Sequence, residues 1–308
     1  MFGCYESWYP VYDDWLCTIN IDGSNLDYVR DSYEKFLLSP DRETLIEYCG
    51  NKFYSVNLND LSYRNLLFDF GDVADAISYP AMSNSEIVFT HHSEIYTFDI
   101  EERDTTRLTF SISSSKMNPS FSSDGTKIAY ASWTDSISKI VVMDSDGSNK
   151  TVILEQSAYR FNKSFLFVMN DKVLLYYNRW ISGIYSINID GSDNHCILED
   201  VSPLYLTLSP NRDYIIFSAY GYIQKINVDG TANIILAETY HRGFNSSISP
   251  DGEKILYAKD HYPYIMNADG TNSYKLIDTL IGDDNPYYKE SYLLNNYTII
   301  LNLNKQIN

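Results

Sequence analysis

Cysteine is scarce in this sequence, with four residues among 308, and those four fall into no recognisable framework. Cys4, Cys17, Cys49 and Cys196 show no CxxC spacing, which excludes a zinc-ribbon pattern and a small disulfide scaffold. They read as small hydrophobes; a Cys4–Cys17 cross-strand pair would need a geometry that spacing alone does not supply. Basic residues are also few: 23 Lys and Arg stand against 41 Asp and Glu, a formal net charge of -18 with pI near 4.5. Phosphate-rich partners are bound largely through clustered Lys and Arg, so DNA, RNA and anionic membrane surfaces are excluded as partners. No stretch approaches eighteen consecutive apolar residues, so no membrane-spanning helix is expected. The opening MFGCYESWYP lacks a basic segment followed by an apolar one. The expected location is therefore cytoplasmic, with export only if a leader has been removed. GxSxG, HExxH, P-loop and strand-linked GxGxxG motifs are missing as well, which argues against the common hydrolase and nucleotide chemistries.

What is present is a repeat. Hydrophobic residues make up 44% of the chain and charged ones 21%, enough for a substantial core, with no break in composition to mark a linker. A unit recurs about every 40 to 47 residues, the range of four-stranded propeller blades. The clearest copies are Asn118 to Leu154, Leu204 to Leu236 and Phe244 to Ile277. Each reads as four short strands, a to d, in which β-branched and aromatic runs alternate with turn residues.

The a–b turn appears as Ser39-Pro40-Asp41-Arg42, Ser122-Ser123-Asp124-Gly125, Ser209-Pro210-Asn211-Arg212 and Ser249-Pro250-Asp251-Gly252. The c–d turn appears as Asp22-Gly23, Asp146-Gly147, Asp190-Gly191, Asp229-Gly230 and Asp269-Gly270. Glycine supplies the positive φ of a tight hairpin, and a nearby Ser or Asp oxygen accepts a local amide hydrogen. The DxDG stretches have a superficial likeness to calcium loops, but no acidic residue closes them at the required spacing, so they read as turns. Tyr33 to Leu67, Ile77 to Thr109 and Phe165 to Leu198 keep the strand pattern with fewer turn markers.

These six internal units are flanked by two halves of a seventh. Trp15 to Val29 has only the third and fourth strands, and Pro286 to Asn304 has the early ones. Pairing the two halves closes the ring and removes its free edges. The expectation is an all-β chain, a single β-propeller over 1–308 with about seven four-stranded blades. The blades run roughly over 286–304 plus 1–30, 33–67, 77–109, 117–154, 164–198, 203–236 and 244–277. Six blades is the alternative if one weak unit is not a blade. The second strand of the closing blade has two claimants, Tyr5 to Trp8 and Thr298 to Leu303.

The turns and runs at Phe121 to Gly147, Leu208 to Gly230 and Ile248 to Gly270 resemble the TolB-type, WD40-like (PD40) β-propeller repeat family. The resemblance implies a propeller that serves as a partner-binding body, or as a gating domain attached to a serine peptidase. With no hydrolase domain evident here, peptidase activity is not implied.

In such a blade the b–c loops and d–a connections share one face, hereafter the loop face, and the a–b and c–d turns share the other. The loop face is expected to hold Trp8, His91, Trp133, Arg160, Arg179, Trp180, Tyr220, Tyr222, His241, Arg242, His261 and Tyr262. Trp, Tyr and Arg dominate binding hot spots, whereas the opposite face is mostly Asp, Ser, Asn and Gly. The leading expectation is a non-catalytic scaffold, monomeric, without cofactor or bound metal, that binds a protein or peptide partner on this face. A second reading makes it a carbohydrate-binding or lyase-like propeller with His91, His241 and His261 lining a funnel. A third makes it a structural subunit of a larger assembly. His195 is expected in an outer strand, as a structural residue.

Overall fold

The computed structural model describes the chain except residues 1–11, 32–34, 72–76, 112, 158–166, 170–172, 179–181, 240–245, 261, 278–286, 294–297 and 307–308. Every regular element among the described residues is a strand. The strands form seven four-stranded antiparallel sheets.

In chain order the first blade holds β3 (Lys35–Leu38), β4 (Leu45–Cys49), β5 (Lys52–Asn57) and β6 (Asp60–Asp69). The second holds β7 (Ser78–Met82), β8 (Glu86–His91), β9 (Glu94–Asp99) and β10 (Asp104–Arg107). The third holds β11 (Ser115–Phe121), β12 (Lys127–Trp133), β13 (Ile137–Asp144) and β14 (Thr151–Ser157). The fourth holds β15 (Phe167–Met169), β16 (Val173–Asn178), β17 (Gly183–Asn188) and β18 (His195–Glu199). The fifth holds β19 (Leu204–Leu208), β20 (Tyr214–Ala219), β21 (Tyr222–Asn227) and β22 (Ile234–Glu238). The sixth holds β23 (Ser247–Ile248), β24 (Lys254–Lys259), β25 (Tyr262–Asn267) and β26 (Tyr274–Lys275).

The closing blade joins the two ends of the chain. Its order is β27 (Tyr287–Leu293), β28 (Thr298–Gln306), β1 (Tyr12–Asn20) and β2 (Asp27–Asp31). Nine residue pairs, from Tyr12 with Gln306 to Asn20 with Thr298, knit β1 to β28. Thr298 to Leu303 thus takes the second-strand position, and Tyr5 to Trp8 lies outside the described residues. Seven blades, not six, make the ring.

The core sits between blades, not within them. Seven apolar clusters each draw on two neighbouring blades, for example Val88, Ile95 and Leu108 of the second blade with Phe121, Ile128 and Tyr130 of the third. Both faces of a blade are therefore covered, which is why β20 reads Tyr-Ile-Ile-Phe-Ser-Ala and is buried at all six positions. The junction of the first and second blades is aromatic, with Phe53, Phe68, Phe70, Phe89 and Phe98 in mutual ring contact.

The repeated turns work by local hydrogen bonding. In the c–d turns, the carboxylates of Asp22, Asp146, Asp190, Asp229 and Asp269 accept the backbone N–H two residues on at 2.8–2.9 Å. In the a–b turns, Ser39, Ser122 and Ser249 donate to the Asp two residues on at 2.5–2.6 Å. The calcium-like carboxylates are thus occupied as turn acceptors.

Candidate functional site

The loop face is where the fold leaves chemistry uncommitted. Among the described residues, exposed large apolar side chains lie either on outer strands or near this face; the latter are Phe110, Ile137, Leu204 and Tyr220. Phe110 is 75% exposed and Tyr220 68% exposed. Tyr220 occupies the β20–β21 loop at φ 53° and donates from its hydroxyl to the Asp200 carbonyl at 3.1 Å. Tyr222 and Tyr262 open β21 and β25 half-buried, and the Lys275 ammonium lies 3.4 Å from the Tyr262 ring centre.

His91 is not a loop residue. Strand β8 runs through it, and the loop is the two residues His92-Ser93. His91 is 4% exposed, tilted against Phe70 with ring centres 4.4 Å apart and edge-on to His92 at 4.2 Å. The aromatic junction beneath it draws the ring inward, so it presents no exposed surface to a partner. Trp8, Arg160, Arg179, Trp180, His241, Arg242 and His261 lie outside the described residues. His195 begins the outer strand β18, its Nδ1 2.9 Å from the Asp193 carbonyl. No group of three or more His, Cys, Asp or Glu converges as a metal site among the described residues.

Among the described residues, Trp133 is an expected site residue that lines a cavity. It ends β12, packs on the core around Met117 and Ala131, and lines a cleft of about 720 Å³ between the second and third blades. Ser111 and Ser113–Ser115 also line it, as do His92, Ser93, Glu94, Arg107 and Thr134–Ser136. Sequence reasoning passed over Arg107, Glu94 and the Ser-rich connection. Their only local signal is the run Ser111-Ile112-Ser113-Ser114-Ser115 between two blades.

A buried ion pair holds the cleft together. Glu94 and Lys116 are each 4% exposed, and Lys116 Nζ donates to Glu94 Oε1 at 2.9 Å. The same ammonium donates to the carbonyls of Ser111 at 3.1 Å and Ser114 at 2.9 Å, which uses its three donors. Glu94 also accepts the Thr109 hydroxyl and, at 2.8 Å, the Ser111 N–H. Burial pushes the Glu94 carboxyl upward, but its hydrogen bonds from Thr109, Lys116 and Ser111, with the Lys116 charge, outweigh this and hold it below its ordinary value. Arg107 approaches from the rim: Nη2 is 3.6 Å from Glu94 Oε1, Nε donates to the Thr109 carbonyl at 2.8 Å, and the guanidinium carbon lies 4.9 Å from the Phe110 ring centre.

No family model matches the chain, and no curated protein matches it. Similar solved structures do exist. An oligogalacturonate lyase in complex with manganese has a TM-score of 0.64 at 12% identity, covering 86% of this chain and 87% of its own. A candidate TolB from Agrobacterium tumefaciens gives 0.54 at 15%, covering 97% and 99%. TolB from Acinetobacter baumannii gives 0.54 at 16%, covering 87% of this chain and 63% of its own. Identities this low speak for the fold and not for activity. By its fold the chain is a seven-bladed β-propeller with TolB proteins among its structural neighbours.

Proposed function

We propose that the protein is a non-catalytic scaffold that binds a protein or peptide through its loop face. One asymmetry carries this reading: among the described residues and away from the outer strands, the exposed large apolar side chains lie near the loop face, while the described turns opposite are Asp, Ser, Asn and Gly satisfied by their own hydrogen bonds. Exposed aromatics and Arg are the groups that dominate protein interfaces, and Phe110, with the Arg107 guanidinium over its ring, and Tyr220 provide them. Tyr222 and Tyr262 extend this set by position, as do Trp8, Arg160, Arg179, Trp180, His241, Arg242 and His261 by sequence.

The test is affinity capture from the native cell extract with wild type, a Phe110→Ala/Tyr220→Ala variant and an Asp146→Ala variant of the opposite face, all checked for equal melting temperature. The expected result is a partner retained by wild type and Asp146→Ala and lost from Phe110→Ala/Tyr220→Ala. Equal capture by all three, or no partner at all, overturns the reading.

A further inference from the structure

We infer that the cleft between the second and third blades is a binding site for a neutral saccharide. This stands on the cleft itself and not on the protein-partner reading above. At about 720 Å³ it has the size of a small-ligand site, and its chemistry narrows the ligand class.

Charge comes first. Glu94 and Asp135 are balanced by Arg107 and by Lys116 beneath the floor, so the cleft has no net charge inside a chain that carries -18. An anion would meet the repulsion of the whole body, and the one buried ammonium already spends its three donors within the protein. A cation would find one carboxylate committed to Lys116 and the other alone at the rim. Neither sign of charge is favoured, which leaves a neutral ligand.

Hydrogen-bonding capacity comes second. The wall is made of short hydroxyls, each able to donate and accept, which suits a ligand whose own groups do both. Ser111 lies 3.3 Å from the Ser113 hydroxyl and 3.2 Å from the Ser114 hydroxyl, long contacts that a ligand hydroxyl can replace. Arg107 commits Nε and leans Nη2 toward Glu94, while Nη1 makes no bond among the described residues. Three guanidinium N–H groups, two on Nη1 and one on Nη2, therefore remain for sugar oxygens.

The third element is a single aromatic wall. The Trp133 indole lines the cleft and rests on the core beneath, a rigid apolar surface for the C–H face of a pyranose. An extended peptide is served less well. The strands that line the cleft do so only at their ends, Glu94 beginning β9, Arg107 ending β10, Ser115 beginning β11 and Trp133 ending β12, so no run of strand edge lies along it for an extended peptide to pair with. The floor is pre-organised by the Glu94–Lys116 pair, which lowers the ordering cost of binding.

The experiment is ligand-observed NMR and titration calorimetry with four neutral tetrasaccharides (cellotetraose, maltotetraose, mannotetraose and chitotetraose), with trigalacturonate as the anionic arm and a hexapeptide of Ser and Gly as the peptide arm. At least one neutral tetrasaccharide is expected to bind with Kd below about 1 mM, and affinity should fall about tenfold or more in Trp133→Ala and in Arg107→Ala. Trp133→Phe, which keeps the core contact, should retain part of it, and Asp146→Ala should change nothing. Failure of all four neutral sugars, binding of trigalacturonate or the peptide alone, or sugar binding indifferent to Trp133→Ala and Trp133→Phe, overturns the inference. Saccharide binding without partner capture would support this cleft while removing the scaffold reading, and the converse result would do the opposite.

Discussion

At the scale of single residues, the Glu94–Lys116 pair has the largest leverage, because each charge is buried and tolerable only through the other. Glu94→Gln keeps the shape, removes the anion and leaves the Lys116 ammonium uncompensated, so it is expected to cost about 3 kcal/mol in a denaturant titration at pH 7. Adding Lys116→Met to it should recover part of that loss, because the stranded charge goes with it. The pH dependence follows from the same group. Its folded value lies below the ordinary carboxyl value of 4.5, so its stabilisation is complete above that value and is lost as pH falls through the lowered one. The stability gap between wild type and Glu94→Gln should therefore shrink as pH drops below about 4.5, and a gap independent of pH would show that Glu94 is not the titrating group. None of this was legible from the chain: Glu94 opens a strand and Lys116 lies 22 residues away. Only packing one blade on the next brings them together. His91 was misread for a related reason, since strand β8 continues one residue further than its turn pattern suggests and ends against the aromatic junction.

At the scale of elements, the Asp-Gly hairpins show what local sequence can and cannot state. The positive φ and the Asp acceptor are properties of four adjacent residues, and both were readable in advance. The second duty of these glycines was not, because it involves the preceding blade in the ring. An added Cβ at Gly147, Gly191, Gly230 or Gly270 would come within 3.1–3.2 Å of Leu108, Ile153, Ile197 or Leu236 respectively. At Gly23 it would fall 2.7 Å from the Leu276 carbonyl oxygen, a backbone atom with nowhere to go. Gly23→Ala therefore combines a disfavoured φ of +83° with a steric conflict across the sixth and closing blades, and an expected loss of about 2 to 4 kcal/mol. Gly50→Ala is the matched control, with φ of +56° and nothing within 4 Å, and should cost about 1 kcal/mol. Equal losses in thermal melts would mean that the turn conformation alone explains the glycines and that the blade contact contributes nothing.

For the whole molecule, the count of blades and the split closing blade could be anticipated because a ring built from repeats must supply every blade with four strands. What additionally holds the ring shut was hidden in a turn. Arg42 occupies the fourth position of Ser39-Pro40-Asp41-Arg42 at φ 63°, where the third and sixth blades have Gly125 and Gly252 at φ 74° and 76°. On turn chemistry alone it is the wrong residue. Its guanidinium, however, reaches out of the first blade to the Leu293 carbonyl at the end of β27 and to the Ile248 carbonyl, 2.6 Å away, at the end of β23. It thereby ties the first blade to the inner strands of the closing and sixth blades, across the junction where the two ends of the chain meet. Burial favours loss of its proton while Asp251 opposes this, and a guanidinium stays charged under such conditions. Two opposite signs follow for Arg42→Gly. If the turn decides, removing an L-residue from positive φ stabilises the protein by about 1 kcal/mol. If the bridge decides, two carbonyls lose a charged donor and the protein is destabilised by about 2 to 3 kcal/mol. We expect the second, with hydrogen exchange accelerated in β27, β28 and β1 ahead of the third and fourth blades. Arg42→Lys should recover only part of the loss, because a point charge cannot span both carbonyls as the planar fork does. A stabilised Arg42→Gly would mean that the pairing of β1 with β28 closes the ring by itself.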